Sequence, residues 1–423
     1  MTTQEATLGV DPAPGASFRG ALASRDFSFL FVGQLGSEIG NGAVQLALPL
    51  LVLDLTNSPF QLGLAYFFQF LPILLFGLVG GVFVDRWDRR RTIVVVDAIR
   101  AVAFMSVAVI YYLDTLTATH LFAVIFIEAS LANLFNPARA ALMPNLVDSE
   151  NLRPANSLIE VSRHIGFVIA PLAGGAVSSL LGPASIMLFD GVTFFVSAVT
   201  VFLIRWRAPR REAVQSENFA HSLRMVGSQS LDGFKALLKS RLLQVTVLLG
   251  FGLNLVVAPI QVLLPLFVRY VKHEGASYFT FLVLGLLVGL ILGSLLAPAI
   301  ARRFGLGRMT IAAVFILGGV ICVASLPPTL WPPFFAMLAA GMAIGSLNVA
   351  QATMLQSATS DHDRGRVSAT YYTATYGIRP IGFLAVGALA SAVDIRIMFV
   401  GLGLATLCLG AYLSQRREVR DHH

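Results

Sequence analysis

Six of the seven residues from Asp85 to Arg91 are charged, in the run Gly81-Val82-Phe83-Val84-Asp85-Arg86-Trp87-Asp88-Arg89-Arg90-Arg91, and long apolar stretches lie on both sides of it. A single charge near mid-bilayer costs about 2.5–3.5 kcal/mol on insertion scales, so this run stays out of hydrocarbon. It reads as a short basic turn between two segments that do enter. About 20 apolar residues cross a bilayer core as a helix, and backbone satisfaction in lipid excludes irregular spans. Twelve stretches qualify, at 28–53, 61–84, 92–113, 119–142, 157–180, 185–204, 242–268, 278–300, 309–326, 332–355, 367–391 and 395–414. The expected fold is an all-α integral membrane protein of twelve transmembrane helices. With 13% charged and 56% hydrophobic residues, the chain holds about half the charge of a soluble protein.

Of 30 Lys and Arg residues, 23 fall in the tails and the even-numbered loops. The positive-inside rule then places both termini in the cytoplasm. The net charge of +7 follows from this topology, so no nucleic-acid partner is expected. Cys322 and Cys408 sit in apolar stretches and indicate neither a disulfide framework nor a metal site. Residues 1–25 lack an apolar core with a small-residue cleavage site, so no cleavable signal is expected.

The longest hydrophilic stretch, 205–241, falls at mid-chain and divides two six-helix bundles, 28–204 and 242–414, with tails at 1–27 and 415–423. Its last part, Ser230 to Lys239, has the spacing of a helix lying along the membrane surface, or is a solvated linker. An internal repeat supports two pseudo-symmetric halves. Asn136-Pro137-Ala138-Arg139-Ala140-Ala141-Leu142 aligns with Asn348-Val349-Ala350-Gln351-Ala352-Thr353-Met354, and Arg302-Arg303-Phe304-Gly305-Leu306-Gly307-Arg308 echoes the first basic turn. Repeated halves that rock about a central site are a common transporter design.

The basic turn closely resembles the loop between helices two and three of the major facilitator superfamily, Gly-x-x-x-Asp-Arg/Lys-x-Gly-Arg/Lys-Arg/Lys. Asp88 stands where that form has Gly, as in a bacterial subgroup of macrolide-efflux and enterobactin-exporter-like proteins. In the fifth span, Gly166-Phe167-Val168-Ile169-Ala170-Pro171-Leu172-Ala173-Gly174-Gly175 is similar to the antiporter signature Gly-x-x-x-Gly-Pro-x-x-Gly-Gly, with Ala170 replacing one Gly. Arg25-Asp26-Phe27, Phe135-Asn136-Pro137-Ala138-Arg139 and Arg364-Gly365-Arg366 extend the resemblance along nearly the whole chain. The resemblance implies a gate on the cytoplasmic side built from Gly81, Asp85, Arg86, Arg89 and Arg90. It also implies that helices five and eight face each other, so that the glycines around Gly166, Pro171, Gly174 and Gly175 slide against Gly285, Gly289 and Gly293. The arginines have acids or lipid headgroups as expected partners, and Asp361 and Asp363 before the eleventh span are candidates. Topology enforcement alone is the other reading of the arginines.

Polar residues inside spans mark the candidate site. Gln34, Glu38, Asn41 and Gln45 recur at spacings of four, three and four, which puts them on one face of the first span and predicts a wet cavity beside it. Glu38 and Glu128 are the proton-coupling candidates, the alternative for Glu38 being a permanent pair with an arginine of a neighbouring helix, and for Glu128 a satisfied hydrogen bond. Asp97 and Arg100 are three apart and can pair with each other, as can Glu160 and Arg163, and Asp190 has no helical partner in reach. Across the cavity, Asn254 and Gln261 share a face of the seventh span and Asn348 and Gln351 one of the tenth. With Gln34, Asn41, Gln45, Tyr372, Tyr376 and Arg379 they are the substrate candidates, Arg379 serving an anionic or aromatic substrate or acting as a counter-charge.

No phosphate-binding Gly-x-x-x-x-Gly-Lys-Ser/Thr, no nucleophile elbow and no cluster with metal-ligand spacing appears, so neither an enzyme nor a cofactor is expected. Energy would come from an ion gradient, most simply protons. The sequence favours a monomeric exporter of small amphipathic molecules in a bacterial cytoplasmic membrane. An importing symporter and a non-transporting lipid-handling protein are the alternatives.

Overall fold

The computed structural model describes residues 17–76, 87–206, 234–238, 240–324, 331–359 and 364–416. After a short helix, Phe18–Ala23, come twelve spans: α1 (Arg25–Thr56), α2 (Pro59–Phe76), α3 (Arg89–Tyr112), α4 (Ala118–Leu142), α5 (Leu152–Leu181) and α6 (Pro183–Phe202), then α7 (Arg241–Leu266, prolonged by the π turn Phe267–Val271), α8 (Ala276–Phe304), α9 (Leu306–Ala324), α10 (Trp331–Ser357), α11 (Arg364–Tyr376 and Arg379–Leu389) and α12 (Ile395–Ser414).

Side-chain caps set several starts. Ser24, Asp88, Thr117 and Ser240 accept from the backbone N–H three residues on, at the heads of α1, α3, α4 and α7. Asp88, where the resembled motif has glycine, is thus the residue that caps α3, its Oδ1 accepting from Arg91 N at 2.9 Å. Between α5 and α6, Gly182 turns the chain at φ +81, a backbone conformation with no penalty only for glycine, and Pro183 then opens α6.

The eleventh span departs from the single helix expected over 367–391. It breaks at Gly377 and Ile378, because Pro380 brings no N–H to continue the ladder. Of the mid-chain linker, 205–206, 234–238 and 240–241 are described, and 234–238 is helical. Leu237 there is buried with Leu243, Leu355, Val367 and Tyr371, so this piece is pinned under α7, α10 and α11.

Helix packing repeats with an offset of six spans. In the first six, α1 packs on α5, α2 on α4 and α3 on α6; in the last six, α7 packs on α11, α8 on α10 and α9 on α12. Across the halves α2 meets α11 and α5 meets α8, again equivalent pairs. The cross-half contacts are tightest at the end opposite the basic turn. There Gly63 of α2 lies against Gly387 of α11, Gly175 of α5 against Thr280 of α8, and Tyr270 donates to Asn57 Oδ1 at 2.9 Å. Arg269 forms an ion pair with Asp54 beside them. These contacts close the space between the halves at that end.

Candidate functional site

Between the halves lies a two-lobed cavity. The lobe on the N-terminal half has a volume of about 880 Å³ and that on the C-terminal half about 540 Å³; Gln45, Leu48, Gln69, Phe167 and Leu290 line both. The expected face of α1 does line it, with Gln34, Glu38, Asn41 and Gln45 in the first lobe, joined by Glu128. Asn254, Gln261, Asn348, Gln351, Tyr376 and Arg379 line the second. Tyr372 does not line either lobe. It is half exposed and packs edge-on against Tyr371 and Tyr376.

In the first lobe both candidate acids face arginines of other helices. Arg139 Nη1 on α4 lies 3.6 Å from Glu38 Oε1 and donates to Gln34 Oε1 at 3.0 Å, tying α4 to the polar face of α1. Glu128 has no basic neighbour one turn away on α4, but α3 supplies Arg100, which donates to it. The expected pair within α3 is the looser one, Arg100 Nη1 lying 3.8 Å from Asp97 Oδ1. Arg100 also lies 4.5 Å over the Phe194 ring, and Asp97 Oδ2 accepts from Ser197 Oγ at 2.7 Å. Asp190 is fully buried and does have a helical partner, contrary to expectation: Thr193, one turn on, donates to its Oδ1 at 3.0 Å. Among the described residues its Oδ2 has no hydrogen-bond partner. Glu160 and Arg163 pair at 2.6 Å near the basic end, as their spacing suggests.

The second lobe holds a cation among amides and rings. Arg379 Nε donates to Asn254 Oδ1 at 2.5 Å, and Asn254 is itself held by its Nδ2 donating to Gly250 O at 2.8 Å. The guanidinium lies 4.0 Å over the Tyr376 ring and 5.6 Å over that of Phe70. Tyr371 donates to Gln351 Oε1 at 2.6 Å. Gln351 stands at the repeat position of Arg139, so the aligned segments of α4 and α10 each deliver one long polar side chain to the cavity.

Gln69 is the residue that sequence reasoning missed. A lone amide within Phe67-Phe68-Gln69-Phe70 of α2 was its signal, and no periodic partner drew attention to it. Phe70 and Tyr66, on the same helix, line the second lobe for the same unnoticed reason.

The two sequence motifs hold the walls. Arg89 Nη1 donates to Ala141 O at 2.9 Å at the end of α4, and Arg90 donates to Val201 O at 3.2 Å and to Phe202 O at the end of α6. These partners are helix C-terminal carbonyls, where positive charge is favoured. Gly81, Asp85, Arg86, Asp361 and Asp363 lie outside the described residues, as does the side chain of Pro171.

The glycines pack differently from what the resemblance implies. Gly166 and Gly174 seat α1, at Glu38 and Ala43, while Gly285, Gly289 and Gly293 seat α10, at Phe334, Leu338 and Met342. Both faces are therefore contacts within a half, and only Gly175, against Thr280, lies between α5 and α8. Small residues serve wherever two helices must touch backbone to backbone, so a glycine run does not encode which neighbour it receives.

The chain is similar to known proteins along nearly its whole length. The chain is 26% identical over 404 residues to the multidrug efflux pump Tap of Mycolicibacterium fortuitum, covering 91% of this chain and 95% of that protein. It is 23% identical over 399 residues to macrolide efflux protein A of Streptococcus pyogenes, covering 93% and 96%. Among solved structures, the nucleoside transporter NupG superposes with a TM-score of 0.73 at 14% identity, over 92% of this chain and 98% of that one. A bacterial homologue of the iron transporter ferroportin, in an inward-facing state, superposes with a TM-score of 0.68 at 17% identity, over 93% and 99%. The sequence profile of the Major Facilitator Superfamily matches residues 30–383, and with it the chain, a multi-pass membrane transporter, belongs to that family.

Proposed function

We propose that this transporter exports small, partly apolar molecules from the bacterial cytoplasm in exchange for protons, as a monomer in the inner membrane with both termini inside. The observation that carries the reading is the division of the cavity: one lobe has two acids each facing an arginine, the other has amides and aromatic rings. The first suits protons. A proton arriving on Glu38 or Glu128 neutralises it and releases Arg139 or Arg100, which changes the charge between helices α1, α3 and α4. The second suits an amphipathic cargo, since apolar walls with a few polar groups bind by shape and by oriented hydrogen bonds. The efflux pumps similar to this chain along nearly its whole length support the outward direction.

Proteoliposomes with an imposed pH gradient test the coupling. With a zwitterionic amphipathic drug such as a fluoroquinolone as the probe, uptake into inside-out vesicles should follow the gradient in the natural protein and lose that dependence in Glu38→Gln with Glu128→Gln. Unchanged gradient-driven uptake by the double variant would remove the assigned coupling. A drug-susceptibility panel on a strain lacking the gene extends the test to other cargo.

A further inference from the structure

Four arginines line the cavity, and they are not equivalent: Arg163 pairs with Glu160 near the basic end. Arg100 and Arg139 each have a carboxylate within 4 Å. Arg379 has none among the described residues, and no Asp or Glu lines its lobe. A guanidinium carries five N–H donors in a planar fork. In Arg379 only Nε is engaged, by Asn254. Among the described residues the terminal Nη groups have no hydrogen-bond acceptor, and Arg379 lines a cavity of about 540 Å³.

The surroundings hold this fork in place. Asn254 is oriented by Gly250 O, and the guanidinium carbon lies 4.0 Å from the Tyr376 ring centre and 5.6 Å from that of Phe70, so three neighbours hold it. The break in α11 adds to the same potential. Its second segment starts at Arg379, and the start of a helix is its positive end. Broken helices that turn this end toward an anionic group near mid-membrane are a known way of binding one. An unpaired cation at this depth is costly and seldom kept without use.

We propose that the C-terminal lobe binds the anionic end of the cargo, a carboxylate or similar two-oxygen acid, bidentate on the Nη groups of Arg379, with the cargo's aromatic or apolar body against Tyr376, Phe70 and Tyr66. The inference rests on the cavity as the cargo site and narrows the cargo to amphipathic organic anions and zwitterions. Bidentate geometry is what an arginine offers and a lysine does not, so Arg379→Lys retains charge but loses the paired contact.

Equilibrium binding on the detergent-purified full chain tests this without any gradient, so its outcome is independent of transport direction and proton coupling. The probes are 1-pyrenebutyrate, its methyl ester and 1-pyrenebutyl-trimethylammonium, followed by pyrene fluorescence. The anion should bind at least tenfold tighter than the ester or the cation. In Arg379→Gln the anion should weaken at least tenfold, with the ester within twofold of its original affinity and Arg379→Lys between the two. Three results would overturn the proposal: equal binding of anion and ester to the natural protein, a loss shared by both in a variant with unchanged melting temperature, or no binding of the anion.

Discussion

At the scale of single residues, the acids of the N-terminal lobe, Glu38 and Glu128, are paired with arginines of other helices. Arg100 is the clearest case, for it serves Glu128 on α4, Asp97 on its own helix and the ring of Phe194 on α6. Its side chain is 6% exposed, so removing it leaves buried carboxylates without a cation. Breaking a buried pair by deleting one partner costs about 3–5 kcal/mol. Arg100→Gln should fall in that range in denaturant unfolding of the purified protein, while Glu128→Gln should cost less, because Arg100 then keeps Asp97. Equal losses would mean that Arg100 acts through Glu128 alone. The sequence showed each of these charges but not their pairing. Arg100 and Glu128 are 28 positions apart, and the spacing rule for one helix found only the weaker partner, Asp97.

At the scale of helices, hydrophobic runs and polar faces were legible, and neighbour choice was not. The polar face of α1 was readable because a period of 3.6 residues is a property of one helix, and all four of its members line the cavity. Packing partners are set by the whole bundle, which is why the glycines of α5 and α8 turned out to seat α1 and α10. The break in α11 was visible only as Pro380, whose effect depends on whether neighbouring helices fill the gap. A tighter contact lies between α2 and α11. A Cβ added to Gly63 would stand 2.6 Å from Phe383 O and 2.8 Å from Gly387 Cα, both backbone atoms that cannot yield. Gly63→Leu should therefore force α2 from α11 at that end and separate Tyr66 from Phe383, now stacked at 5.2 Å. In a Cys322→Ala, Cys408→Ala background, a Gln45→Cys probe should become more reactive to reagent from the end opposite the basic turn. Unchanged labelling would show that the helices close around the larger residue.

For the whole molecule, the closed end is where two six-span units with matching packing meet, and its ion pair is the simplest lever on their relative tilt. Arg269 and Asp54 link the ends of α7 and α1, with Tyr270 and Asn57 beside them. The two side chains are 34% and 46% exposed, so water and salt screen the pair. Exposed pairs contribute about 0–1 kcal/mol. Neutralising Asp54 should thus move the balance between closed and open forms by no more than about fivefold, since 1.4 kcal/mol corresponds to tenfold. Reversing it does more, because Asp54→Lys sets two cations together at the seam. In the same labelling assay Asp54→Lys and Arg269→Asp should each expose Gln45→Cys to the far end, and the two together should restore protection by re-forming the pair with its sign exchanged. Sensitivity to salt should follow the same order, greatest for the single reversals and small for the double. If both single reversals left labelling unchanged, closure would rest on the apolar contacts around Gly63 and Gly387 alone, and the ion pair would be a surface feature without influence on which side of the membrane the cavity faces.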